Sequence, residues 1–148
     1  MARIRIDQPA SYNFIATIPV RITDLNYGGH VGNDTILSII HEARAQYFKS
    51  LGYTENDFGG TGTIMADVVI NFKNELFYGD VVRASVAVMN ISRASFDVVY
   101  LLKKENAIAA EAKTGMVCFD YQKKKVTSIP DDVISKFKSG KLQTASGN

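Results

Sequence analysis

The sequence has little besides packing to hold it together. Its 148 residues contain one cysteine, Cys118, so no internal disulfide can form, and that count fits a reducing compartment. Surplus charge is scarce: 17 Lys and Arg against 15 Asp and Glu leave +2, too little to argue for nucleic acid. The one basic run, Lys123-Lys124-Lys125, is short enough to be a solvated turn. No stretch reaches the roughly 18 apolar residues of a membrane span, and the basic Met1–Ile6 is not followed by the apolar run of a signal peptide. The two histidines, His30 and His41, lie eleven positions apart on different elements, and no His or Cys pair has metal-ligand spacing. Phosphate loops, dinucleotide fingerprints and internal repeats are also missing. These absences describe a cytoplasmic protein with no membrane, nucleic-acid or metal partner.

What is present is ordinary globular material, 46% hydrophobic and 22% charged, enough for one core. Residues 1–140 read as a single domain and 141–148 as a disordered tail with one large apolar residue, Leu142. From Phe14 to Ile22 the even positions are apolar, the period of a half-buried strand, with Pro19 marking an edge or a bulge. Ile36, Ile39, Ile40, Ala43, Tyr47 and Leu51 then fall on one helical stripe. Asn33 or Asp34 can cap that helix and Gly52 stops it, which gives about 17 to 19 residues. Strands follow over Ile64–Phe72, Val82–Ile91, Phe96–Leu102 and Ala107–Tyr121, and Pro130 opens a short helix ending by Gly140. Strand, long helix, then four strands in antiparallel hairpins is an α+β order, in which a sheet with one apolar face buries the helical stripe by wrapping it.

Between the first strand and the helix lies Asp24-Leu25-Asn26-Tyr27-Gly28-Gly29-His30-Val31-Gly32-Asn33. This run gathers one carboxylate, two carboxamides, one imidazole and three glycines between apolar, periodic flanks. Asp24 can serve as a turn residue or as a general base for water. Asn26 can form a turn or orient a water or a carbonyl, and the two face the same way if the strand continues that far. His30 has the one unperturbed basicity suited to neutral pH. Gly28, Gly29 and Gly32 allow tight turns and a close approach of a ligand to the backbone.

The order strand, Asp-x-Asn-x-x-Gly-His-Val-x-Asn, then a helix carrying His41-Glu42-Ala43-Arg44, resembles the hotdog-fold acyl-CoA thioesterases, in particular the 4-hydroxybenzoyl-CoA thioesterase group. The resemblance runs from about Phe14 to about Phe137, is most specific over Val20–Leu51, and has a weaker second match at Ser92–Phe96. It implies a hotdog fold, a long central helix wrapped by a five-stranded antiparallel sheet. It implies an acyl-CoA substrate, with coenzyme A as part of that substrate and no separate cofactor. It also implies a homodimer or homotetramer with sites at the subunit interface.

By the same resemblance the amide of Asn33 holds the oxyanion at the helix N-terminus, and Arg93 meets the coenzyme A phosphates. The family usually has a second Asp as nucleophile or base where this chain has Asn26, and a carboxamide can do neither job. The proton acceptor is then Asp24 or His30, with Asn26 and His30 orienting water or carbonyl and Gly28 and Gly29 lining the substrate site.

Other positions are weighed alongside these. Glu42, away from the buried stripe, is a salt-bridge residue or a helix base with Gln46 and Lys49 nearest in spacing, whereas Arg44 points elsewhere. Cys118 reads as buried packing. The function expected is thioester hydrolysis. The alternative is a non-catalytic acyl-thioester binding module, and a hotdog hydratase or dehydratase ranks below both.

Overall fold

The computed structural model describes residues 3–139 and the backbone of residues 143 and 144. The elements in chain order are β1 (Phe14–Pro19), α1 (Asn33–Ser50), β2 (Gly62–Phe72), β3 (Val81–Met89), β4 (Ser95–Lys104), β5 (Ala107–Asp120), β6 (Lys125–Val126), α2 (Asp131–Ser139) and β7 (Gln143–Thr144). The five long strands form one antiparallel sheet in the order β2-β5-β4-β3-β1. Two-residue strands extend it, β6 pairing with β5 and β7 pairing parallel with β1. The tail expected to be disordered, 141–148, lies outside the described residues except for the backbone of β7.

The hotdog fold follows from how α1 meets this sheet. Its stripe of Ile36, Ile39, Ile40, Ala43 and Tyr47 is buried as the spacing requires. The helix packs on β1 and β3, where the small residues Ala16 and Ala84 stand opposite each other in register and let it come close. Gly52, at φ +89°, ends α1: its amide bonds Lys49 O at 2.9 Å and the Tyr53 amide bonds Phe48 O at 2.9 Å, a Schellman closure. At that end Phe48, Phe58, Phe96 and Phe137 of α2 pack ring on ring, with centroids 4.7 to 6.4 Å apart. Cys118 is part of the buried core, and burial pushes its thiol up. Lys123 to Lys125 form the exposed turn into β6.

Two sequence expectations need amendment. First, β1 stops at Pro19 rather than Ile22, because a 3-10 turn over Ile22–Asp24 follows and leaves Ile22 65% exposed. Second, β2 does not bury one clean face. It is an edge strand with an irregularity between Met65 and Asp67, and Ile64, Met65, Val68 and Phe72 all remain exposed.

Arg44 points away from Glu42 as expected, and it is buried. It donates through Nε to Glu55 Oε1 and through Nη1 to the Tyr100 hydroxyl at 3.1 Å, and that hydroxyl shares a 2.7 Å bond with Thr114 Oγ1. Burial works against the guanidinium charge, but Tyr100 and Glu55 outweigh it and hold its pKa above the ordinary value. Glu55 also receives His41 Nε2 at 3.1 Å, while its own carbonyl takes the Thr63 amide at 2.8 Å. This polar string ties the segment after α1 to β2 and β4.

The outer face of the sheet is not bare. Residues 4–7 lie beside Val69, Met89, Asp97, Val99 and Lys113, and Asn71 Nδ2 donates to Ile4 O at 2.8 Å. Ala87 and Val99, which point outward, are therefore buried outside the main core.

Removing one member of a buried ion pair typically costs about 3–5 kcal/mol, because the other is left uncompensated. Glu55 keeps 26% side-chain exposure and can take on water, so Arg44→Ala is expected at the lower end, a loss of about 3 kcal/mol in urea unfolding.

Candidate functional site

The polar run between β1 and α1 is built by a chain of short-range bonds. After Pro19 the Val20 amide still reaches Asp80 O at 2.9 Å, and then the backbone turns. Asp24 makes that turn: its Oδ2 accepts the Arg21 amide at 2.8 Å and its Oδ1 accepts Arg21 Nη2 at 3.2 Å. A bridge between Leu25 and Val31 closes the loop, with the Asn26 amide on His30 O at 2.8 Å. Inside it, Asn26 Oδ1 accepts the Gly28 amide at 2.8 Å in an Asx turn. Gly29 sits at φ +83°, a conformation that disfavours any residue with a Cβ.

Because β1 ends early, Asp24 and Asn26 do not face the same way. Asp24 is 6% exposed, whereas Asn26 is exposed. Asp24 lines a cavity of about 270 Å³ between β1 and α1, together with Thr17, Arg21, Ser38, Glu42 and Gln46. Glu42 accepts Gln46 Nε2 at 2.7 Å there.

His30 belongs to a different cavity, of about 210 Å³, with Val31, Asn33, Ile36, Phe72, Lys73, Asn74, Glu75, Leu76 and Ala109. Its Nδ1 lies 3.2 Å from Val31 O. A carbonyl only accepts, so Nδ1 carries the hydrogen and a neutral ring leaves its lone pair on Nε2. Nε2 lies near Gly28, 3.4 Å from where a Cβ would stand on that glycine.

Gly32 is the N-cap of α1 and offers no side chain to the first amides. Its carbonyl takes the amides of Thr35 and Ile36 at 3.0 and 3.1 Å, and among the described residues no acceptor engages those of Asn33 and Asp34. Asn26 stands next to this terminus, its Nδ2 3.8 Å from the position of a Gly32 Cβ. His30, Asn33 and Asn26 are thus brought together at one helix end, where free amides and the dipole favour negative charge.

Two candidates lie elsewhere. Asp24 is in the neighbouring cavity, turned to Arg21. Arg93 sits before β4, donating to Ser128 Oγ at 2.9 Å, and the nearby Ser95 pairs with Val117 of β5. The His30 cavity is at Ala109, eight residues back along β5 from Val117, and at about 3.4 Å per residue that is a separation of about 27 Å within one chain.

The segment 73–76 contributes to the His30 cavity without any motif to announce it. The Val31 amide bonds Leu76 O at 2.8 Å and fixes the two segments side by side. Beyond it, Asp80 Oδ2 accepts the Phe77 amide at 2.8 Å and Lys104 Nζ at 3.0 Å, and these bonds, the Phe77 amide first, hold its carboxyl below the usual range. Among the described residues no group of three His, Cys, Asp or Glu is placed to hold a metal, and no helix is long and apolar enough to cross a membrane.

Comparison with known proteins gives the family and the fold. The profile of the thioesterase-like superfamily matches residues 20–137. The 1,4-dihydroxy-2-naphthoyl-CoA hydrolase of Rippkaea orientalis is 24% identical over 129 residues, 83% of this chain and 94% of that one. Among solved structures, a predicted thioesterase from Bacillus stearothermophilus superposes with a TM-score of 0.78 at 21% identity, over 88% of this chain and 97% of that one. A Thermus thermophilus thioesterase complexed with coenzyme A and Zn superposes with a TM-score of 0.76 at 21% identity, over 88% and 96%. At these identities the two structures show the shared fold.

The loop geometry makes two neighbouring glycines behave differently. Gly29→Ala forces a left-handed residue and is expected to lower the unfolding free energy by roughly 1–2 kcal/mol in urea titration. Gly28 is not left-handed, but a Cβ there would stand 3.2 Å from Asn26 Oδ1, so Gly28→Ala is expected to cost less than Gly29→Ala and only what shifting that side chain costs.

Proposed function

Because the chain belongs to the thioesterase-like superfamily, we propose that it hydrolyses the thioester bond of an acyl-CoA by direct attack of water, at a site completed by a second subunit. The observation that carries this reading is the His30 imidazole, anchored through Nδ1 with its Nε2 lone pair free, beside two unused amides at the N-terminus of α1. Water attacking the thioester carbon must lose a proton, and His30 is the group to take it. The carbonyl oxygen gains negative charge, and the amides of Asn33 and Asp34 are aimed where that charge develops. One such donor typically lowers the barrier by about 3 kcal/mol. Asn26 Nδ2 adds a donor at the same helix end. Asp24, tied to Arg21, shapes the entry to the loop and acts as a positioning residue rather than the base.

The second subunit is supported by the β2 edge. An eleven-residue edge strand with four exposed large apolar side chains is a surface that invites pairing. Antiparallel pairing of two β2 edges about a two-fold axis sets the Gly62 end of one strand beside the Phe72 end of the other. That brings the sheet end carrying Arg93 of the partner subunit toward the His30 cavity, where its guanidinium meets the coenzyme A phosphates.

A second reading is favoured by one observation. Asn26 Oδ1 is already engaged by Gly28, so Asn26 is a turn former where the family usually has a catalytic Asp, as expected of a module that binds acyl thioesters without cleaving them.

One experiment separates the two: release of CoA from short, long and aromatic acyl-CoAs by wild type, Asp24→Ala, Asn26→Asp and His30→Ala. Hydrolysis is expected from wild type, with kcat falling 10²–10⁴-fold in His30→Ala. Acyl-CoA binding without release by wild type, and hydrolysis gained in Asn26→Asp, is the outcome for a binding module. If all three variants match an active wild type, the site lies elsewhere.

A further inference from the structure

On the hydrolase reading the loop has no free carboxylate, since Asn26 is a carboxamide and Asp24 faces the other cavity. The His30 cavity nevertheless contains one. Glu75 lines it with His30 and Asn33, contributed by the segment between β2 and β3. Its neighbours are all fastened. The Lys73 and Asn74 amides donate to Ala109 O at 2.9 and 3.1 Å, and Asn74 Nδ2 donates to Ile108 O at 2.7 Å. Leu76 is 1% exposed and its carbonyl holds the Val31 amide. Lys73, the cation on the same wall, is paired with Glu111 at 3.3 Å. The carboxylate of Glu75 has no hydrogen-bond or ion-pair partner among the described residues, although its backbone is held on both sides. The other charge nearby is Asp34, whose Oδ1 lies over Gly32, 2.6 Å from where a Cβ would stand.

We infer that Glu75 is a further catalytic residue of this site: its carboxylate accepts one O–H of the attacking water while His30 Nε2 takes the proton of the other. The inference rests on the hydrolase reading above. The water oxygen bonds to the thioester carbon, the carbon–sulfur bond breaks with its electron pair going to sulfur, and the proton on His30 passes to the thiolate. The products are the free acid and the coenzyme A thiol, and Glu75 ends as it began. Its negative charge faces the imidazolium formed in between, so the carboxylate that the family carries in the loop is supplied here from the β2–β3 segment.

The test is steady-state hydrolysis of the best acyl-CoA by wild type, Glu75→Gln, Glu75→Asp and Glu75→Ala, with circular dichroism to check folding. Glu75→Gln is expected to lose roughly 10²-fold in kcat with KM little changed. Glu75→Asp should keep more of the rate than Glu75→Gln. Sodium formate should restore part of the Glu75→Ala rate and leave wild type unaffected. Wild-type kcat in Glu75→Gln overturns the inference and leaves the hydrolase reading standing. A loss that neither Asp nor formate repairs also overturns it, by making Glu75 structural. A wild type that releases no CoA removes the hydrolase reading and this inference together.

Discussion

The hydrogen bond from the Val31 amide to the Leu76 carbonyl is the contact on which the site depends. The polar loop leads directly into α1, and the segment after β2 belongs to the far edge of the sheet. Joining them at 2.8 Å sets His30, the open end of the helix and Glu75 around one cavity. α1 cannot shift along the sheet to loosen this join, because its stripe is buried against β1 and β3 and its far end is closed by Gly52 and the aromatic cluster. A stiff core at one end thus holds a polar, open end in place.

Much of this was legible in the sequence wherever the cause is local. The α1 boundaries follow from a stripe and a stop glycine, and the structure places the helix within one residue of the expected span. The spans of the four later strands were readable, but only β3–β4 and β4–β5 are hairpins: β2 pairs with β5 across the sheet instead of with β3, a long-range choice that no turn residue announces. What was not legible is what depends on distant partners. Arg44 could be read only as pointing away from Glu42, because its partners lie 11 and 56 residues away. β1 reads as continuing to Ile22 because the apolar alternation continues, but the Asp24 carboxylate collects the Arg21 amide and turns the chain. Glu75 carries no signal at all, since only tertiary pairing brings it to His30.

The two polar groupings of the fold differ in kind. Arg44, Glu55, Tyr100 and Thr114 satisfy one another, and burial keeps the Tyr100 phenol neutral by pushing its pKa up, so that string is closed to chemistry. At the N-terminus of α1 the donors are left open and the glycines keep side chains out of the way. The chain thus contains a saturated network that fixes shape and an unsaturated one that can receive a ligand.

The covering of the outer sheet face by residues 4–7 bears on how copies of the chain can meet. Ala87 and Val99 are already dry, and Asn71 is bonded to the arm that covers them. What that face presents to solvent is the arm, with the side chains of Ile4, Arg5 and Asp7 exposed, in place of bare sheet. The arm therefore makes the outer sheet face unlike the β2 edge, where apolar side chains stand uncovered.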